Sequence, residues 1–247
     1  MKSSPEFFTG YGEVPPLLSR FLAKVIGCFL GSSFLLALVL GLGVQERGDG
    51  RYSGDIRATG VLFNLPYPVL RLLPTPDRQQ GHTMLVAGEG KVGAGDFADS
   101  AMGQVVELKG FALKRGTLDM IVVDAQSPIQ PVAAPLPLFG APVAIGRYRL
   151  VGEICDGKCY PGGMRPGTGL AHKACANLCI VGKQPAIFAT QSPVEGQSFL
   201  LLANVDGSLP PPILYDHTAL PVELEGEVVR VGDLLIFHAD WSTIRKQ

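Results

Sequence analysis

Four cysteines and a histidine crowd one stretch of this chain, GEICDGKCYPGGMRPGTGLAHKACANLCIVG, at residues 152–182. Cys155 and Cys159 form a C-x3-C pair, Cys175 and Cys179 form a second, and His172 precedes Cys175 by three residues. Two disulfides stapling a glycine-rich loop are the leading expectation, and four cysteines allow three connectivities. A Cys175–Cys179 bond would strain a helical turn, because Cβ directions four residues apart are nearly parallel, so cross-pairing between the two pairs is easier. The competing chemistry is metal ligation by Cys159, His172, Cys175 and Cys179, or by all four thiols including Cys155. Soft sulfur with one imidazole suits zinc or copper(I), and Met164 could add a thioether in the copper case. A reactive dithiol is the third option, although x3 is not the two-residue spacing of thioredoxin-like motifs. Covalent haem attachment wants C-x-x-C-H, which neither pair supplies.

The elements that must position these side chains follow from pattern. LAHKACANLCIVG reads as a short helix, on which His172, Cys175 and Cys179 share a face. Around it the chain breaks into short apolar runs bounded by Gly, Pro or Asp, including DIRATGVLF, TMLVAGEG, VVELKGFALK and TLDMIVVD, the pattern of β-strands. VVELKGFALKRGTLDMIVVDA from Val105 aligns without a gap on PVELEGEVVRVGDLLIFHADW from Pro221, matching Gly110 with Gly226, Gly116 with Gly232 and Asp124 with Asp240. Such self-similarity marks a duplicated unit. About five short strands bury a core only by curling, so the expected fold is mainly β: two tandem small barrels of the OB type, the second carrying the cysteine insert.

Upstream, VIGCFLGSSFLLALVLGLGV at residues 25–44 carries no charge and is long enough for a bilayer's hydrocarbon core. Lys2, Arg20 and Lys24 precede it, which places the N-terminus in the cytoplasm and the rest outside. The expected organisation is a cytoplasmic segment 1–24, irregular over its first twenty residues, a transmembrane helix 25–44 and a linker 45–53. A first barrel 54–124, a proline-rich linker 125–146 and a second barrel 147–247 with its insert at 152–182 complete it. The helix is read as an uncleaved signal anchor in the inner membrane, with the bulk periplasmic or extracellular, where disulfides persist. A formal net charge of -1 gives no footprint for nucleic acid. The glycines of AGEGKVGAGDF lack phosphate-loop spacing, and no hydrolase motif is present, so no catalytic residue is assigned and the balance is against an enzyme.

The insert and the residues after it resemble a motif of bacterial exported and membrane-anchored β-barrel proteins without an assigned activity. They are also similar to small secreted domains with D-x-x-C-G, then H, then C-A-x-x-C-V. By that resemblance the motif positions are Asp156, Cys159, His172, Cys175 and Cys179, with Ala176 the small residue between cysteines. Tyr160 and Ile180 depart from its usual glycine and valine, and Cys155 replaces an aliphatic residue. The likeness implies companionship with exported redox or respiratory enzymes. The expected role is therefore a non-enzymatic accessory subunit of a membrane redox complex, contacting lipid through 25–44 and membrane protein subunits through its proline-rich segment. No cofactor is expected on that reading. The alternative is a zinc- or copper-binding or electron-transfer module using Cys159, His172, Cys175 and Cys179.

Overall fold

The computed structural model describes residues 14–43, 48–74, 81–124, 126–127 and 129–247. Helix α1, Pro16–Gly43, stands as a unit by itself. Its stretch Pro16–Gly41 has a mean hydropathy of 2.1. By length and composition it can cross a membrane. It starts nine residues ahead of the apolar run, at a proline suited to the first helical position, so the expected irregular stretch is shorter than the first twenty residues. Residues 1–13 lie outside the described residues.

Residues 47–247 form the second unit, in which two strand sets follow one plan. The later set is β7 (Val143–Asp156), β8 (Ala186–Val194), β9 (Gln197–Asn204), β10 (Pro221–Val231) and β11 (Leu234–Lys246). These close into a five-stranded barrel in the order β10-β11-β9-β8-β7, with β10 pairing back onto β7 and β9 running parallel to β11. It is a closed barrel of the OB type. The earlier set is β1 (Arg51–Asn64), β2 (Pro68–Leu72), β3 (Thr83–Gly88), β4 (Val105–Arg115) and β5 (Leu118–Val123), with a short helix α2 (Gly95–Ala98) between β3 and β4. Registers repeat between the sets: Leu85 faces Met120 as Leu201 faces Ile236, and Gly60 faces Val106 as Gly152 faces Val222. Gly110 and Gly226 occupy the same place. A Cβ on either would overlap a carbonyl of the neighbouring strand, that of Val122 or that of His238.

The expectation of two closed barrels needs correction. The first set is a six-stranded sheet, β1-β2-β3-β5-β4-β6, with an additional pairing of β1 to β4, and only the later set is a closed barrel. The sixth strand, β6 (Gln130–Pro131), comes from the proline-rich segment. It pairs with Val106 and Glu107 of β4, beyond the reach of β5, which pairs with Gly110–Arg115. Proline donates no hydrogen bond, so Pro131 suits such an edge position.

Alternation explains how the sheet and the barrel join. Val69, Leu85, Met120 and Val122 pack into the same core as Ile187, Phe188, Leu201 and Phe237 of the barrel. Their neighbours Leu70, Val86, Ile121 and Val123 point the other way, into a core with Leu62 and Leu108. Strands buried on both faces read as continuous apolar runs, which is why TMLVAG shows no polar alternation. A polar clasp adds to the joint. His82, just before β3, meets Asp119 of β5 through Nε2 and Asp233 of the β10–β11 turn through Nδ1, both at 2.6 Å. Hydrogen bonds to Asp119 and then Asp233 raise its pKa to about 9, against the opposing effect of burial.

Candidate metal centre

Where β1 passes to β2 through residues 65–67, β7 passes to β8 through residues 157–185, and this long connection carries the cysteines. The connection opens with a wide helical turn over Cys159–Gly163 and continues through a short 3-10 turn, Leu170–His172, into helix α3, Lys173–Val181. The expected helix is thus present. Lys173 Nζ fastens it to the backbone carbonyls of Tyr215, Asp216 and Thr218, and Asn177 Nδ2 donates to that of Tyr215 at 3.0 Å.

Asp156, fully buried at the end of β7, organises the centre. Its Oδ1 accepts the backbone N–H of Cys159 at 2.7 Å and of Lys158 at 3.3 Å, fixing the first turn of the insert. Its Oδ2 lies 2.9 Å from Nε2 of His172, which is 2% exposed. With Nε2 so engaged, Nδ1 is the ring nitrogen left for a metal, the arrangement in which a carboxylate orients a ligand histidine.

Three sulfurs converge beside that imidazole. Cys159 Sγ lies 4.0 Å from Cys175 Sγ and 3.9 Å from Cys179 Sγ. The expected disulfides are therefore absent: all four cysteines of the insert are free, and these separations are nearly twice the S–S bond length of about 2.05 Å. They match instead the edge of a tetrahedron with metal–sulfur bonds of about 2.3 Å, which is about 3.8 Å. Ligand atoms of Cys159, His172 and Cys175 lie within 4.8 Å of one another, as do those of Asp156, Cys159 and Cys179. The motif D-x-x-C, H-x-x-C-A-x-x-C is present as one cluster beside a β-rich domain, with a geometry consistent with metal coordination. Cys155 belongs to neither group. It sits in the barrel core on β7, its Sγ 3.5 Å from Glu153 Oε1, and burial pushes its thiol well above the ordinary range. Met164 Sδ is 3.4 Å from Cys175 Sγ.

Two lysines outside the expected ligand set complete the electrostatics. Lys91, in the glycine-rich loop after β3, places Nζ 2.8 Å from Cys175 Sγ and 3.6 Å from Cys179 Sγ. Lys158 is buried, and its Nζ donates to the carbonyls of Gly88 and Gly90 at 2.8 and 2.9 Å, pinning that loop against the insert. Burial lowers its pKa, while the thiols of Cys179 and Cys159 act the other way. Gly182 lets the loop approach, since a Cβ there would overlap the Lys91 carbonyl. Within the sulfur set, Cys159 and Cys179 share a hydrogen bond in which either sulfur could donate. That hydrogen bond is the main reason Cys159 is raised and Cys179 is held down, with Lys91 assisting at Cys179. Of the three thiols, Cys179 is therefore the one favoured as thiolate, the form that binds metals. The glycines of AGEGKVGAGDF were the available signal for this loop, but its target lies 84 residues further along the chain.

The class of site is thus a largely buried thiol and imidazole cluster on a β-barrel loop. No family model matches the sequence, and no curated protein or solved structure is similar to it.

Proposed function

We propose that this chain is a membrane-anchored metal-binding module, in which Cys159, Cys175, Cys179 and Nδ1 of His172 hold one zinc ion. The observation that carries the reading is the pair of sulfur separations, 3.9 and 4.0 Å, centred on Cys159. A single ion fits better than a cluster, because thiolates on different irons would stand further apart. Four protein ligands leave no open position, which is the pattern of a structural rather than a catalytic zinc. Bound there, the ion supplies cross-linking: it ties the turn at Cys159 to α3. Asp156 orients the imidazole, and Lys91 and Lys158 offset the negative charge that three thiolates leave over a divalent ion.

Met164 favours copper(I) as a second reading, since a thioether beside three thiols suits that softer ion. Metal analysis of the detergent-purified full chain decides. One zinc per chain supports the first reading, and one copper with a Met164→Leu variant that loses it supports the second. Protein purified without metal, with its thiols titrating freely or oxidised, removes both.

We place the bulk of the chain outside the cytoplasm, a reading supported by the basic residues ahead of the apolar stretch. Metal ligation would then shield the thiols from oxidation. A role as companion to a membrane redox complex draws support from the anchor helix and from exposed Leu136 and Leu138 on the proline-rich segment. Affinity purification from membranes tests it: recovery of no redox subunit would remove that assignment while leaving the metal centre untouched.

A further inference from the structure

Away from the metal centre, Arg71 of β2 is only 7% exposed. Among the described residues, nothing accepts a hydrogen bond from its guanidinium, and its Nε is buried without a partner. Its Cζ lies 4.1 Å from the ring centroid of Phe139, which packs edge-on against Phe63, and the guanidinium also lies against Gly232 of the β10–β11 turn. The neighbouring charges are already matched. Arg230 holds Glu195 at 2.6 Å, His82 holds both Asp119 and Asp233, and Lys114 reaches Asp119 at 3.2 Å. Asp233 acts on Arg71 through its charge but spends a carboxylate oxygen on His82. A buried guanidinium nitrogen without a hydrogen-bond partner is costly, and such groups are normally satisfied.

The guanidinium faces a cavity of about 330 Å³. Arg71 and Arg230 share its lining with Leu138, Phe139, Ala141 and Val143. Leu138 is fully exposed, so the mouth is apolar as well. The volume lies at the lower end of small-molecule sites, and the lining combines apolar side chains with the two guanidinium groups. We infer that this cavity binds a small carboxylate carried on an apolar body, with Arg71 as its anion-binding residue. The planar fork of one guanidinium matches a carboxylate bidentately. A phosphate would leave oxygens facing apolar walls, because Arg230 is already engaged by Glu195.

Calorimetric titration of the full chain in a non-ionic detergent tests this with three probes: benzoate, its neutral counterpart benzyl alcohol, and inorganic phosphate. Benzoate should bind one site, and the other two should not compete with it. Arg71→Gln should weaken benzoate by at least about tenfold, the loss of a charged hydrogen-bonding partner. Leu138→Glu, a surface change that spares the fold, should weaken it too by placing a like charge at the mouth. Metal content should stay the same in both variants. The inference is overturned if benzoate fails to bind or binds Arg71→Gln equally well. Benzyl alcohol binding as tightly as benzoate, or phosphate binding where benzoate does not, would overturn it as well.

Discussion

The β1–β5 sheet and the β7–β11 barrel share neighbours and registers, yet they differ where strand one passes to strand two. Residues 65–67 make a bare turn in the first, with Leu65 N–H donating to the Tyr67 carbonyl. Residues 157–185 make a folded insert with its own helix in the second. Asn64 stands where Asp156 stands, judged by the matching register of β1 and β7, and only the aspartate has thiols and an imidazole to organise. A duplicated scaffold therefore supplies stability in both copies, and chemistry enters through one connection. The first copy nonetheless contributes at a distance, since Lys91 and the carbonyls that hold Lys158 belong to its glycine-rich loop.

Cysteine substitution breaks the comparison most strongly. Cys159→Ser should cut metal affinity by more than roughly 100-fold, because changes outside the ligand set alone cost about 10–100-fold. Cys155→Ala, in the core of the same barrel, should leave metal content intact and cost only about 1 kcal/mol of stability. Equal metal loss in the two would show that the cluster is not the binding site.

The next effect concerns the clasp between the two copies. His82 faces Asp119, Asp233 and, beyond Asp119, Lys114, with Arg71 near Asp233. Its folded pKa of about 9 exceeds the ordinary 6.5. The stabilisation is therefore complete below about pH 6.5 and is lost as pH rises through about 9. Allowing for solvent screening, it is on the order of 2 kcal/mol. Urea unfolding of wild type and His82→Gln should differ by that amount at pH 6 and converge near pH 10. A gap that widens with pH would contradict the clasp.

Asp156→Asn should weaken metal binding about 10–100-fold, by loosening the orientation of His172. Chelator competition measures it, and an unchanged affinity would mean that Asp156 serves only the turn at Cys159. Lys91→Gln is the mildest change. An exposed ammonium near a thiolate contributes little, so a loss of up to about fivefold is expected in the same assay. A larger loss would make the first copy's loop a principal part of the site.

Much of this was legible in the sequence, for identifiable reasons. The gapless match of Val105 onto Pro221 gave the paired hairpins, because a strand register admits no slip without turning side chains inside out. The helix bearing His172, Cys175 and Cys179 followed from spacing. What escaped were relations between distant segments: β6 pairing with β4, the burial of β3 on both faces, and Lys91 reaching α3. The state of the sulfurs escaped too. Spacing is shared by disulfide and metal sites, and only the distances around Cys159 tell them apart.

X-ray absorption at the metal edge of the purified full chain addresses the centre most directly. Three sulfur neighbours at about 2.3 Å and one nitrogen at about 2.0–2.1 Å are the expected shell. A shell of oxygen and nitrogen alone, or sulfur paired with sulfur in the absence of metal, would contradict it.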